Sequence, residues 1–170
     1  TMAESTQLIL NAIKQTTDEW RANDQKRDAG LPTQFPDVTR YDNLSYGPAG
    51  VENLLDVYTP KGITENVPVI IDIHGGGNVY GSKELYQHYC LGWARAGFGV
   101  VNFNYRLAPN TPFPGALRDT ALIGKWVSEH GEAYHLDTNN VFIIGDSAGG
   151  TLAEQYLTAY SNEDYRKSLG

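Results

Sequence analysis

The chain has 170 residues, 41% hydrophobic and 19% charged, the proportions of one soluble globular domain with a core, not of a disordered or membrane-spanning segment. A formal net charge of -7 opposes nucleic acid and anionic membrane surfaces as partners, because both would repel it, and favours a small neutral ligand. A single cysteine, Cys90, excludes an intrachain disulfide and points to a reducing, cytoplasmic setting.

The N-terminus lacks the basic flank and apolar stretch of a secretory signal, and Thr1 before Met2 reads as a cloning remnant. Residues 5–23 predict an amphipathic helix with Leu8, Ile9, Ile13 and Trp20 on one broad face. Residues 24–36, polar with Gly30, Pro32 and Pro36, read as a loop, so that 1–36 form a helix and loop ahead of a core over 37–170. Strands over 39–46 and 53–58, joined across Gly47-Pro48-Ala49-Gly50, predict a hairpin at a sheet edge. Pro68-Val69-Ile70-Ile71-Asp72-Ile73 is a buried-strand pattern that runs directly into His74-Gly75-Gly76-Gly77. Residues 83–96 predict a helix that Gly97 terminates; Cys90 lies in its pattern with Leu85, Tyr89 and Trp93, and so reads as a structural thiol. A strand over 99–105 and a helix over 113–129 follow, the helix closed by Gly131. A third buried strand, Val141-Phe142-Ile143-Ile144, meets Gly145-Asp146-Ser147-Ala148-Gly149-Gly150, with helix formers from Leu152 to Tyr160. Strands alternating with helices of this length predict an α/β fold, a mostly parallel, doubly wound sheet after an opening antiparallel hairpin.

Two of these junctions carry chemistry. Gly145-x-Ser147-x-Gly149 between strand and helix fits a nucleophile elbow, where a tight turn lifts the serine hydroxyl clear of the sheet edge. Three consecutive glycines after a strand are costly in backbone entropy and fit a backbone that must approach something closely. Free N–H groups there could hold the oxyanion that forms when a serine attacks an ester, at about 2.7–4 kcal/mol of barrier per donor. Asp146 beside the serine reads as a brace for the turn, and Asp72 as a structural hydrogen-bonding group.

Three separated blocks together resemble the hormone-sensitive-lipase-like esterases of the α/β-hydrolase fold. These are His74-Gly75-Gly76-Gly77 with Gly81, then Tyr105-Arg106-Leu107-Ala108-Pro109 with Pro112-Phe113-Pro114 and Asp119, then Gly145-Asp146-Ser147-Ala148-Gly149-Gly150. Asn110 departs from the glutamate common in the family, and the likeness extends loosely from Tyr41 to Tyr160. The resemblance implies a serine carboxylesterase acting on small acyl esters, with Ser147 as nucleophile. It implies an oxyanion hole from the N–H groups of Gly76, Gly77 and Ala148, with His74 and Gly75 shaping the loop. It also implies that the N-terminal helix helps form a cap over the acyl pocket, against the equally open reading that this helix simply packs on the domain.

Other chemistries fit less well. Gly76 to Lys83 nearly makes a phosphate-binding loop, but Ser82 precedes Lys83 where lysine must come first, and a dinucleotide fingerprint would need glycine where Tyr80 stands. His130 and His135 flank Glu132 without a third ligand at a recognised spacing, so no metal and no cofactor is predicted. A triad needs a base and an acid, which in α/β-hydrolases follow the serine. All four histidines precede Ser147, and only the acids Glu154, Glu163 and Asp164 follow it. The chain is therefore expected to be the N-terminal portion of an esterase, inactive alone, with the triad acid and histidine beyond Gly170. Its expected partners are a small ester together with either a second fragment of the same protein or further copies of itself. The rival is an inactive hydrolase-fold fragment serving as a binding or interaction module.

Overall fold

A computed structural model describes residues 2–170, so the reading of Thr1 lies outside the described residues. The chain divides into two compact units, Thr1–Leu31 and Pro32–Gly170. The first unit holds α1 (Met2–Asp28), five residues longer at its end than its apolar pattern predicts. Polar residues expected in a loop continue the helix, and pairs one turn apart, Arg21 with Asp18 at 3.0 Å and Arg27 with Asp24 at 2.9 Å, support it.

The second unit is a five-stranded sheet in the order β1-β2-β4-β3-β5, formed by β1 (Val38–Ser45), β2 (Leu54–Pro60), β3 (Val67–Ile73), β4 (Gly99–Phe103) and β5 (Leu136–Gly145). The opening hairpin β1–β2 is antiparallel and joins β4 antiparallel, whereas β4, β3 and β5 run parallel. Helix α2 (Lys83–Arg95) covers one face, packing Cys90, Leu91 and Ala94 on Tyr58, Ile70 and Val100. On the other face α3 (Gly115–His130) and α4 (Ala148–Ser161) lay Leu117, Ile123, Trp126 and Leu152 over Leu55, Val69, Ile71, Ile73 and Phe103. Alternate residues of β3 thus serve opposite faces, and both are buried, which explains the continuous apolar run from Val67 to Ile71. The fold is α/β, with helices on both sides of a sheet whose central strands are parallel.

Two differences from the sequence reading have local causes. β5 starts five residues before its apolar run, because Leu136 pairs with Val67 at the start of β3 and carries the polar stretch Asp137 to Asn140 into the strand. A short helix, α5 (Glu163–Ser168), was not anticipated; Asn162 caps it by accepting from the Tyr165 N–H at 2.9 Å, and acids open it while bases close it. Among the described residues no helix is long and apolar enough to cross a membrane.

Phe103 is fully buried at the end of β4 and meets Tyr46 edge-on, with ring centroids 5.9 Å apart. Phe103→Ala should lower unfolding free energy by about 3–5 kcal/mol in urea titrations, whereas exposed Val51→Ala should stay within about 0.5 kcal/mol. Equal effects would contradict the placement of the core.

Candidate active site

Ser147 stands at the turn between β5 and α4 with φ 50° and ψ -122°. A side chain there costs on the order of 1–3 kcal/mol in backbone strain. A serine at a helix N-cap ordinarily turns its hydroxyl back onto the first N–H groups. Here the backbone carries the side chain elsewhere: no capping bond forms, and the residue is exposed. The helix begins all the same, with the Gly149 N–H donating to the Asp146 carbonyl at 2.8 Å and the Thr151 N–H to the Ser147 carbonyl at 3.1 Å. The N–H of Ala148, first in α4, has no acceptor within the helix.

Gly149 explains how close this turn comes to the neighbouring strand. A Cβ at that position would lie 1.9 Å from the carbonyl oxygen of Ile73 and 2.8 Å from that of His74. The start of α4 therefore rests directly on the end of β3, and the glycine loop leaves from the same point. In that loop Gly76 has φ 121°, and the N–H groups of Val79 and Tyr80 both donate to its carbonyl, at 3.1 and 3.0 Å. Among the described residues no backbone carbonyl accepts from the N–H of Gly76 or Gly77. The structure thus brings Gly75, Gly76 and Gly77 to the same end of the sheet as Ser147 and Ala148.

His74 lies buried at the root of the loop. Its Nδ1 lies 2.7 Å from the Gly75 carbonyl, which can only accept, so the proton sits on Nδ1 and Nε2 carries the lone pair. Nε2 is buried and, among the described residues, unpartnered. Protonating it would bury a second, unsatisfied N–H, and burial accordingly pushes the imidazole pKa down to about 4, against the Gly75 carbonyl and the charge of Asp146. The ring stacks on Tyr105 at 4.1 Å, and the Tyr105 hydroxyl donates to the His74 carbonyl at 2.7 Å. The second motif block is therefore the floor of the glycine loop. It is fixed in turn by Arg106, whose guanidinium and backbone N–H grip the fully buried Asp119 of α3 at 2.8–3.1 Å, and by the Ala108 N–H donating to the Asn78 carbonyl at 2.7 Å. The Asp119 hydrogen bonds hold the Arg106 pKa above the usual arginine value.

The remaining candidates have structural places. Asp72 accepts from the Cys90 thiol at 3.2 Å inside the α2 face. Burial pushes Asp72 up to about 6, helped by Asp146 and opposed by the thiol bond, and burial drives Cys90 well above the usual thiol range. Asp146 ties its turn to α2: its carboxylate accepts from the Tyr86 hydroxyl at 2.9 Å. Tyr86 was not singled out in the sequence, where it is one aromatic in a helical pattern. Lys83, displaced from the phosphate-loop position, is buried against Asp56 at 2.9 Å and Glu84 at 2.7 Å. Burial works against its charge, but the two carboxylates outweigh it and raise its pKa.

A doubly wound sheet that turns through a positive-φ serine into a helix resting on a glycine loop is the arrangement of the α/β-hydrolase fold. Residues 55–168 match the model of the BD-FAE family, and the chain belongs to that family. It is 36% identical over 134 residues to esterase LipI of Mycobacterium tuberculosis, a match covering 76% of this chain and 42% of LipI. Esterase B of Lactobacillus rhamnosis superposes with a TM-score of 0.92 at 28% identity, over 98% of this chain and 53% of that one. Brefeldin A esterase, a bacterial homologue of human hormone-sensitive lipase, gives 0.76 at 28% identity, over 94% and 45%. These relatives bear out the likeness to hormone-sensitive-lipase-like esterases, and the chain spans about half of their length.

The buried pair Asp72 and His74 makes opposing demands on pH. The folded state holds His74 neutral, so its contribution is complete above pH 6.5 and is lost as pH falls toward about 4. Folding favours protonated Asp72, so its contribution is complete below pH 3.8 and is lost as pH rises through about 6. Between pH 6.5 and 4 the two nearly offset. Asp72→Asn, which keeps an acceptor for Cys90, should unmask the His74 slope, up to about 1.4 kcal/mol per pH unit, in urea midpoints measured across that window. Parallel profiles for wild type and variant would count against the raised Asp72 pKa, and a variant whose stability does not rise with pH across that window would count against the neutral buried imidazole.

Proposed function

We propose that the whole protein is a serine carboxylesterase that hydrolyses small acyl esters through an acyl-enzyme on Ser147. The observation that carries this reading is the Ser147 backbone, strained at positive φ and without the capping bond its position would otherwise allow. Ser147 Oγ attacks the ester carbonyl carbon, and the carbonyl electrons move to oxygen. The N–H groups of Gly76, Gly77 and Ala148 receive that oxyanion, each worth about 2.7–4 kcal/mol when preorganised. Collapse restores the carbonyl, breaks the bond to the alcohol oxygen and sends that oxygen off with a proton. Water then attacks the acyl-enzyme and returns Ser147. His74 and Gly75 shape the loop and take no proton.

The base is not found among the four histidines. His74 is buried, with Nδ1 committed to Gly75, and holds its neutral form to about pH 4. His130 ends α3 and His135 precedes β5, whose ten residues at about 3.3 Å each set them roughly 30 Å from the elbow at its far end. His88 lies on α2 with Nδ1 3.2 Å from the Pro32 carbonyl. In this fold the acid and histidine follow the nucleophile in the chain. We place them in the part of the whole protein that corresponds to the unmatched half of the relatives.

Ser147→Ala in the whole protein should lower kcat for p-nitrophenyl acetate or butyrate by at least about 10³-fold with the circular dichroism unchanged. A fluorophosphonate probe should label the wild type and not the variant. Undiminished turnover by the variant would sink the reading, and a whole protein that neither labels nor hydrolyses would favour a binding module on the same fold.

A further inference from the structure

The proposed oxyanion hole draws its donors from two separate segments, the loop after β3 and the turn after β5. Each segment is held internally by its own backbone bonds. Between them stands the hydroxyl of Tyr86, near the start of α2. It accepts from the Gly75 N–H at 3.2 Å and donates to Asp146 Oδ2 at 2.9 Å. The directions are fixed by chemistry, since an amide N–H can only donate and a carboxylate oxygen can only accept. Tyr86 thus hydrogen-bonds to both segments. Gly75 neighbours the first proposed donor, and Asp146 neighbours the nucleophile.

The junction has no slack. A Cβ on Gly75 would sit 3.0 Å from both the carbonyl oxygen and Oδ2 of Asp146, and 3.1 Å from the Tyr86 hydroxyl. Tyr86 is itself held at its root, because the first residue of α2 is gripped on both sides. The Lys83 N–H donates to Asn104 Oδ1 at 2.8 Å, and the Lys83 carbonyl accepts from Asn102 Nδ2 at 2.7 Å. Burial pushes the Tyr86 phenol up to about 12, against the Gly75 N–H and with the Asp146 carboxylate, so the hydroxyl keeps its donor proton at physiological pH.

We propose that Tyr86 is a positioning residue for ester hydrolysis, its hydroxyl setting the glycine loop against the nucleophile turn so that N–H groups from both converge on one oxygen. This rests on the reading of Ser147 as nucleophile and of Gly76, Gly77 and Ala148 as the hole. An oxyanion hole needs donors 2.7–3.1 Å from the place where the charge develops, and a shift on the order of 1 Å in such a site costs about 10²-fold. Substrate binding needs no such convergence, because the ground-state carbonyl carries little of that charge.

The test uses Tyr86→Phe in the whole protein, which keeps the ring and removes only the bridging oxygen. Expected for p-nitrophenyl butyrate is a fall in kcat of about 10- to 100-fold with KM within about twofold. Asp146→Ala should reproduce the effect from the exposed end of the bridge and decides the matter if Tyr86→Phe does not fold. Asp146→Asn, which keeps an oxygen acceptor, should recover most of the lost kcat. The double variant Tyr86→Phe/Asp146→Ala should be no slower than the worse single one, since both remove one bridge. Wild-type kcat in Tyr86→Phe, a change confined to KM, or additive losses would overturn the proposal. If Ser147→Ala abolishes turnover while Tyr86→Phe spares it, the positioning role alone fails; if Ser147→Ala spares turnover, the underlying reading fails with it.

Discussion

Nothing larger than hydrogen fits between residue 149 and the carbonyl oxygen of Ile73, and the geometry of the site follows from that contact. With a Cβ only 1.9 Å from that oxygen, any other residue would lift α4 off the end of β3. Because Gly149 permits the contact, the turn at Asp146 and Ser147 lies beside the peptides of His74 and Gly75. The strain at Ser147, on the order of 1–3 kcal/mol, is the counterpart of that approach. It persists because β5 is paired to β3 from Val69 through Ile73 and because α4 is anchored by buried Leu152, so the turn has no looser conformation to relax into.

The glycine loop is over-determined from below in the same way. His74 is stacked on Tyr105, bonded through Nδ1 to Gly75 and through its carbonyl to the Tyr105 hydroxyl. The Tyr105 block is clamped to α3 by the Arg106 and Asp119 pair. At the loop's far end, α2 starts at a lysine buried with Asp56, and breaking such a pair by removing one partner typically costs about 3–5 kcal/mol. Three polar anchors, the stacked His74, the Arg106–Asp119 pair and the Lys83–Asp56 pair, thus hold a segment whose own glycines give it little stiffness. This is where a chain with one modest core places its buried charges: at the ends of strands, around the loop that must not move.

How much of this was legible in the sequence depended on whether the signal was local. Strand β3, helix α2 and the elbow were readable because one apolar run or one glycine turn is contained within a few residues. The start of β5 was not, since Asp137 to Asn140 look like a loop and are made a strand by pairing with the chain some seventy residues earlier. The polar end of α1 is illegible for the converse reason: Gly30 and Pro32 signal a loop, while the ion pairs that sustain the last turn leave no apolar period. At the site, Ser147 and the glycines were marked by pattern, and the second block only by resemblance. Tyr86 and the stacking of His74 on Tyr105 carried no mark, and Lys83 only that of a misplaced phosphate-loop lysine, because their meaning lies in contacts across 60, 31 and 27 positions of chain.

Electrostatics divides the proposed chemistry unequally between what these 170 residues hold and what the rest of the protein would add. On the proposed reading the nucleophile and the N–H donors belong to this segment, and the donors act on charge that appears only after attack. A serine hydroxyl without a base remains a weak nucleophile, however well its oxyanion is received. Yet donors must be rigid before reaction to lower a barrier, whereas a base has only to reach the hydroxyl within hydrogen-bonding distance. On that reading these residues carry the demanding half of the geometry. That is consistent with its investment in buried anchors: a neutral histidine under the loop, a clamped arginine behind it, and a tyrosine hydroxyl shared between two loops.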